Sequence, residues 1–293
     1  MDFTFNSRVM VMGIAEPLSS VYVPIMTTYG TQIVAGISAG RGGQMICGIP
    51  VFDMVGQALA QRGLVETAIL LVKPYEVLDA ALEAIAAGIR QLVIITEGVP
   101  PLDMVSLVRK AEITETLVVG ANCPGIIVPG QILLGTHPPA FYMPGHVGVI
   151  SRSGALAYEV AWELTQAGLG QSIAVGIGGD RISGSSFQQW LQILEEDEQT
   201  EVIVLVGEMG CEGEETAAHY VAEAIDKPVV AYVAGHRLPN PSSVGASRLA
   251  ELHNSPGSTE GKIAAFQQAN IPLADRPSQI PSLVKRAMWA VQR

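Results

Sequence analysis

The chain has 293 residues, 48% of them hydrophobic and 15% charged, which suits about two domains and is too aliphatic and too sparsely charged for a disordered segment. Twenty-eight acids against seventeen bases leave a net charge of −11, and no run of Lys or Arg offers a basic patch, so neither nucleic acid nor an anionic membrane is expected as a partner. A small anionic metabolite remains compatible, because helix N-termini and glycine-rich turns hold anions without net positive charge.

Short runs of Val, Ile and Leu recur at 8–12, 32–37, 68–72, 91–96 and 116–120, then at 147–151, 172–175, 201–206 and 229–233. They are continuous rather than alternating, the pattern of strands buried on both faces. Helical patterns fall between them at 77–89, 103–111, 155–167, 187–197 and 214–224, and 264–293 reads as closing helices around a short strand at 271–273. This alternation predicts an α/β fold with two doubly wound parallel sheets. Residues 125–146 are dense in Gly and Pro without helical period, which places one domain at 1–130 and the other at 146–293. Trp162 and Trp190 fall on helices and read as packed.

Cys47, Cys123 and Cys211 lie far apart, the usage of a reducing compartment, and no Cys/His spacing suggests a metal site. The N-terminal residues lack the basic start and cleavage site of a signal peptide, and no apolar run reaches the ~18 residues of a membrane span. The expectation is a soluble cytoplasmic protein.

Ligands of doubly wound sheets bind at the carboxyl ends of the strands. The first such loop, 13–20, reads GIAEPLSS: Gly13 is its single glycine, and Glu16 sets a negative charge where a phosphate would lie. Ser19 and Ser20 either donate to a ligand or serve the helix start. The second, SAGRGG at 38–43, presents Arg41 among glycines, either as a phosphate contact or as a solvated turn residue. Glu97 follows the fourth strand, and Asn122 and Cys123 follow the fifth. Cys123 reads as a thiol beside a ligand or as a small buried residue, with no histidine nearby in sequence to activate it. In the second half, Ser153 and Gly154 open a helix, as an anion cradle or as an ordinary cap, and Glu208 stands directly at the exit of the strand at 201–206.

TEGVPPLDM (96–104), GANCPGIIVPG (120–130), GVISRSGALAYE (148–159), GIGGDRISGSSF (176–187) and EVIVLVGEMG (201–210) together resemble the α subunits of the succinyl-CoA synthetase superfamily, colinearly over about 8–290. The resemblance implies a Rossmann-like CoA-binding domain followed by a flavodoxin-like ligase domain. It also implies an ATP-grasp β-type subunit that carries ATP or GTP with Mg, and acyl transfer to CoA by way of a phosphohistidine on the α chain. By that resemblance Ser153 and Gly154 are the helix start facing the phosphate, and Glu208 orients the histidine. Arg41 meets a CoA phosphate, and Cys123 lies beside the CoA thiol end.

Two departures stand out. The family's glycine-rich phosphate loop is replaced at 16–20, and the position of its histidine, counted without a gap from 234–235, is Ala246. A methyl group cannot carry a phosphoryl group. His253, seven residues on, is the substitute candidate, against a plain surface-loop histidine. The expectation is therefore a divergent α-like subunit in a heteromer, regulatory, scaffolding or altered in its acyl transfer. A working acid–CoA ligase α subunit and an anionic-metabolite-binding module are the alternatives.

Overall fold

The computed structural model describes residues 8–235 and 257–291, which form two compact units: one built from the chain up to residue 139 with 176–185, the other from 140–175 and the chain from 186 onward.

The first unit contains β1 (Val9–Met12), α1 (Pro17–Tyr29), β2 (Ile33–Ile37), β3 (Met45–Ile46), β4 (Ile49–Phe52), α2 (Val55–Arg62) and β5 (Thr67–Leu70). It continues with α3 (Val77–Ala86), β6 (Gln91–Ile94), α4 (Pro101–Ile113), β7 (Leu117–Gly120), β8 (Gly125–Val128) and β9 (Ile132–Gly135). Its main sheet runs β3-β4-β2-β1-β5-β6-β7 and is parallel except where β3 meets β4. Every residue of β1, β5, β6 and β7 is buried, which explains why they are apolar apart from Thr67 and Gln91, whose side chains hydrogen-bond each other at 2.9 Å. Met10, Met12, Leu70, Leu92, Ile94 and Val118 form the middle of one core. The chain moves outward from β1 through β2 and β4, then returns to β5 on the other side. The β1/β5 crevice is thus the topological switch point, where a doubly wound sheet opens a ligand site.

Within 125–146, where the sequence suggests only an irregular boundary, the chain makes an antiparallel ribbon pairing Gly125 with Gly135 and Val128 with Ile132. Two four-residue apolar runs flank a Pro-Gly turn, too short to carry a recognisable period. Gly125 has φ +89°, and a Cβ there would stand 1.9 Å from the Leu134 carbonyl oxygen, so the strands approach this closely only with glycine.

The second unit contains β10 (Pro144–Ser151), α5 (Gly154–Gln166), β11 (Gln171–Gly176), α6 (Phe187–Glu196), β12 (Val202–Gly207), α7 (Gly213–Ala224), β13 (Val229–Val233), α8 (Thr259–Gln268), β14 (Leu273–Ala274) and α9 (Ile280–Val291). These strands run β14-β13-β12-β10-β11, the flavodoxin-like order, with the switch point between β10 and β12. Ser186 and Gln189 form a capping box at the start of α6, whose Phe187 and Trp190 are fully buried. Trp162 departs from its expected packing. It is 42% exposed on α5, its ring 5.4 Å from that of Phe141, because its helix position falls beside rather than within the buried stripe Ala157, Val160, Ala161, Leu164. Among the described residues no helix is long and apolar enough to cross a membrane.

Candidate functional site

Two loop clusters stand at the two switch points, one in each unit. In the first unit, a cavity of about 400 Å³ opens at the carboxyl ends of β1, β5, β6 and β7. It is lined by Glu16, Pro17 and Leu18 after β1, by Leu71, Val72, Lys73 and Pro74 after β5, by Ile95, Thr96 and Glu97 after β6, and by Asn122 after β7. Gly13 forms the floor of the first loop. Its φ is +82°, and a Cβ would come within 2.8 Å of the Val72 backbone nitrogen.

Of the seven sequence-predicted residues in this unit, the fold brings Glu97 and Asn122 to the cavity wall. Asn122, in the left-handed region at φ +54°, donates from its amide to Asp180 Oδ1 at 2.9 Å. Ser19 is fully buried and its hydroxyl donates to the Gly13 carbonyl at 2.7 Å, while Ser20 is exposed and donates to the Pro17 carbonyl at 2.7 Å. Arg41 lies on the exposed 38–44 loop, where its N–H donates to the Ser38 carbonyl and the next residue, Gly42, donates to Asp53. Cys123 is buried with its thiol 3.3 Å from the Ile94 carbonyl oxygen, and burial pushes its pKa up to about 12, so the sulfur stays protonated.

The α1 start is poorly equipped for a diphosphate. Pro17 at the first turn has no N–H, and the amides of Glu16 and Ser19 are already spent on the Gly13 and Glu16 carbonyls. Glu16 is the N-cap residue, but its carboxylate makes no capping bond and lies 3.8 Å from the Lys73 ammonium. The groups that hold a phosphate at a helix start, free amides and a favourable dipole, are therefore opposed here by a fixed negative charge.

In the second unit, β10 delivers Ser151, Arg152 and Ser153 to the start of α5. Ser153 is the N-cap, its hydroxyl oxygen accepting the Leu156 N–H at 3.5 Å, and Gly154 is the first helical residue. β12 delivers Glu208, half-buried, and its charge is felt by Arg152 across the switch point. Burial raises the Glu208 pKa; Arg152 pulls it back, Glu214 raises it and Lys262 lowers it. Glu208 and the buried Arg152 are thus within electrostatic reach of each other, and Arg152 immediately precedes the Ser153 cap of α5.

Beneath Glu208 lies a network that the sequence reading did not single out. Glu214 and Lys262, both fully buried, form an ion pair; Glu214 Oε1 also accepts the Glu208 N–H at 2.9 Å, and Lys262 also donates to the Cys211 carbonyl. Glu215 accepts the Gly257 N–H at 3.0 Å and lies 3.5 Å from the Lys262 ammonium. A usable signal was present. Glu214 shares the buried helical stripe of Ala217, Ala218 and Val221, and Lys262 that of Ala265 and Phe266, so each helix carries one charge on its core face. Ala246 and His253 lie outside the described residues.

Residues 5–98 match the CoA binding domain family and residues 150–265 the CoA-ligase family. The chain is 40% identical over 279 residues to the succinate–CoA ligase [ADP-forming] subunit alpha 2 of Archaeoglobus fulgidus, covering 95% of this chain and 96% of that one. The chain belongs to the succinate–CoA ligase α-subunit family. The corresponding α subunit of Staphylococcus aureus strain Mu50 is 38% identical over 96% of this chain and 93% of its own length. In fold, the chain is similar to the ATP citrate lyase of Methanothrix soehngenii, solved in complex with citrate and coenzyme A, with a TM-score of 0.85 at 22% identity; it spans 51% of that chain. It is also similar to the dinucleotide-forming acetyl-coenzyme A synthetase 1 of Ca. Korarchaeum cryptofilum, with a TM-score of 0.73 at 24% identity over 60% of that chain. In family terms, the α1-end cavity falls in the CoA-binding half and the Glu208 corner in the ligase half. Among the described residues no group of three or more His, Cys, Asp or Glu side chains is placed to hold a metal.

Proposed function

We propose that the chain is a divergent α-type subunit that works in the cytoplasm in a heteromer with an ATP-grasp β-type partner, the partner carrying ATP or GTP with Mg. In this reading it keeps the anion-facing corner at Ser153, Gly154 and Glu208 but dispenses with a phosphohistidine, since Ala246 stands at that position. The observation that carries the proposal is the Glu208 carboxyl group at the β12 exit, electrostatically coupled to the buried Arg152 beside the capped start of α5. Such a corner holds an anion handed over by a partner without itself becoming covalently modified. That suits a scaffolding or regulatory subunit, or acyl transfer to an altered acceptor.

Identity of 38–40% to succinate–CoA ligase α subunits over almost the whole chain favours a second reading, a working acid–CoA ligase with His253 as the phosphoryl carrier. One experiment separates them. The chain is mixed with a purified ATP-grasp partner, succinate, CoA and γ-labelled ATP, with His253→Ala in parallel, and thioester, acid-labile protein phosphate and complex formation are followed. A stable complex without label is the expected result. Thioester and label that both vanish in His253→Ala would establish the ligase reading, and a chain that stays monomeric with every partner would sink the α-subunit role.

A further inference from the structure

The cavity beside α1 differs in its chemistry from a phosphate site. Leu18, Leu71, Val72 and Ile95 give it apolar walls, and its charged members are the carboxylates of Glu16 and Glu97 and the ammonium of Lys73. Lys73 is already shared between Glu16 at 3.8 Å and Glu76 at 3.7 Å, so two carboxylates compete for one cation. The helix start beside it offers a proline and two internally bonded amides. A diphosphate entering here would meet net negative charge and few donors; an uncharged chain with apolar and amide segments would meet matching walls, with Asn122 as a polar neighbour.

We infer that this cavity selects an uncharged, amide-containing ligand of the pantetheine class and discriminates against carriers that bear a diphosphate. The inference rests on reading the first unit as the CoA-binding-type half, and it concerns which part of such a molecule the half retains. Glu16 is the discriminating residue: its charge repels phosphate and keeps Lys73 engaged.

The test is calorimetric titration of the full chain with pantetheine and with CoA at low and high salt, in the native chain and in Glu16→Gln. Glu16 makes no side-chain capping bond, so the variant is expected to fold. Pantetheine should bind at least about tenfold more tightly than CoA, and salt should strengthen CoA binding by screening the repulsion while leaving pantetheine unchanged. Glu16→Gln should shift the CoA-to-pantetheine affinity ratio about tenfold toward CoA. Tighter binding of CoA than of pantetheine, CoA affinity that falls with salt, an unmoved ratio in Glu16→Gln, or no binding of either ligand would each overturn the inference. None of these outcomes touches partner assembly, on which the proposed function stands or falls.

Discussion

At the level of single residues, burial decides which reactive groups remain available. Cys123 combines a raised pKa with a carbonyl neighbour, whereas Cys47 is exposed. Alkylation of the native chain with iodoacetamide, followed by mass spectrometry, is therefore expected to modify Cys47 first and to leave Cys123 unmodified until the protein unfolds. His137 is buried with Nε2 3.0 Å from the Gly125 carbonyl oxygen, and burial lowers its pKa to about 4. The folded state keeps this imidazole neutral, while the unfolded chain takes up a proton near its ordinary pKa of about 6.5. Its contribution is thus intact above about pH 6.5 and is lost as pH falls toward 4, of order 2 kcal/mol by about pH 4.5. Urea unfolding across that range should show the loss in the native chain and a flatter profile in His137→Gln.

At the level of elements, α7 and α8 are tied to the Glu208 loop by one buried cation. Lys262→Met strands the Glu214 carboxylate in the core and is expected to cost about 3–5 kcal/mol of stability. The double variant Lys262→Met/Glu214→Gln removes the charges of that pair while keeping an acceptor for the Glu208 N–H, and should recover part of that loss in the same urea titration, the neighbouring Glu215 carboxylate still lacking its cation. Recovery of none of it would mean that the ion pair is not what joins these helices. The α6 cap is an independent case: Ser186→Ala removes the bond to the Gln189 N–H and should lower stability by ~1 kcal/mol, read as a drop in Tm.

At the level of the whole molecule, the proposed function separates the anion-holding corner from the group that would be phosphorylated. If the Ser153–Glu208 corner is intact, supplying the missing group should suffice. Ala246→His, in complex with an ATP-grasp partner and labelled ATP, is expected to gain acid-labile protein phosphate at least about tenfold over the native chain. Labelling that remains at background in a well-formed complex would show that the corner no longer serves phosphoryl transfer.

The sequence by itself determined the alternation of strand and helix, because strands buried on both faces must be continuously apolar and their crossover helices amphipathic. β1, β6, β7, β12 and β13 lie where those runs predict. It also displayed Glu208 at a strand exit and Glu16 in a loop with a single glycine, since single-residue chemistry at a loop is visible without coordinates. The ribbon of β8 and β9 was hidden, because four-residue apolar runs around a Pro-Gly turn have no period to detect. Only the tertiary structure decided that Ser19 spends its hydroxyl on Gly13, that Arg41 stands on an exposed loop, and that Glu214 and Lys262, forty-eight positions apart, pair in the core. Those facts depend on which strand ends the sheet order brings together, and a one-dimensional pattern carries no record of strand order.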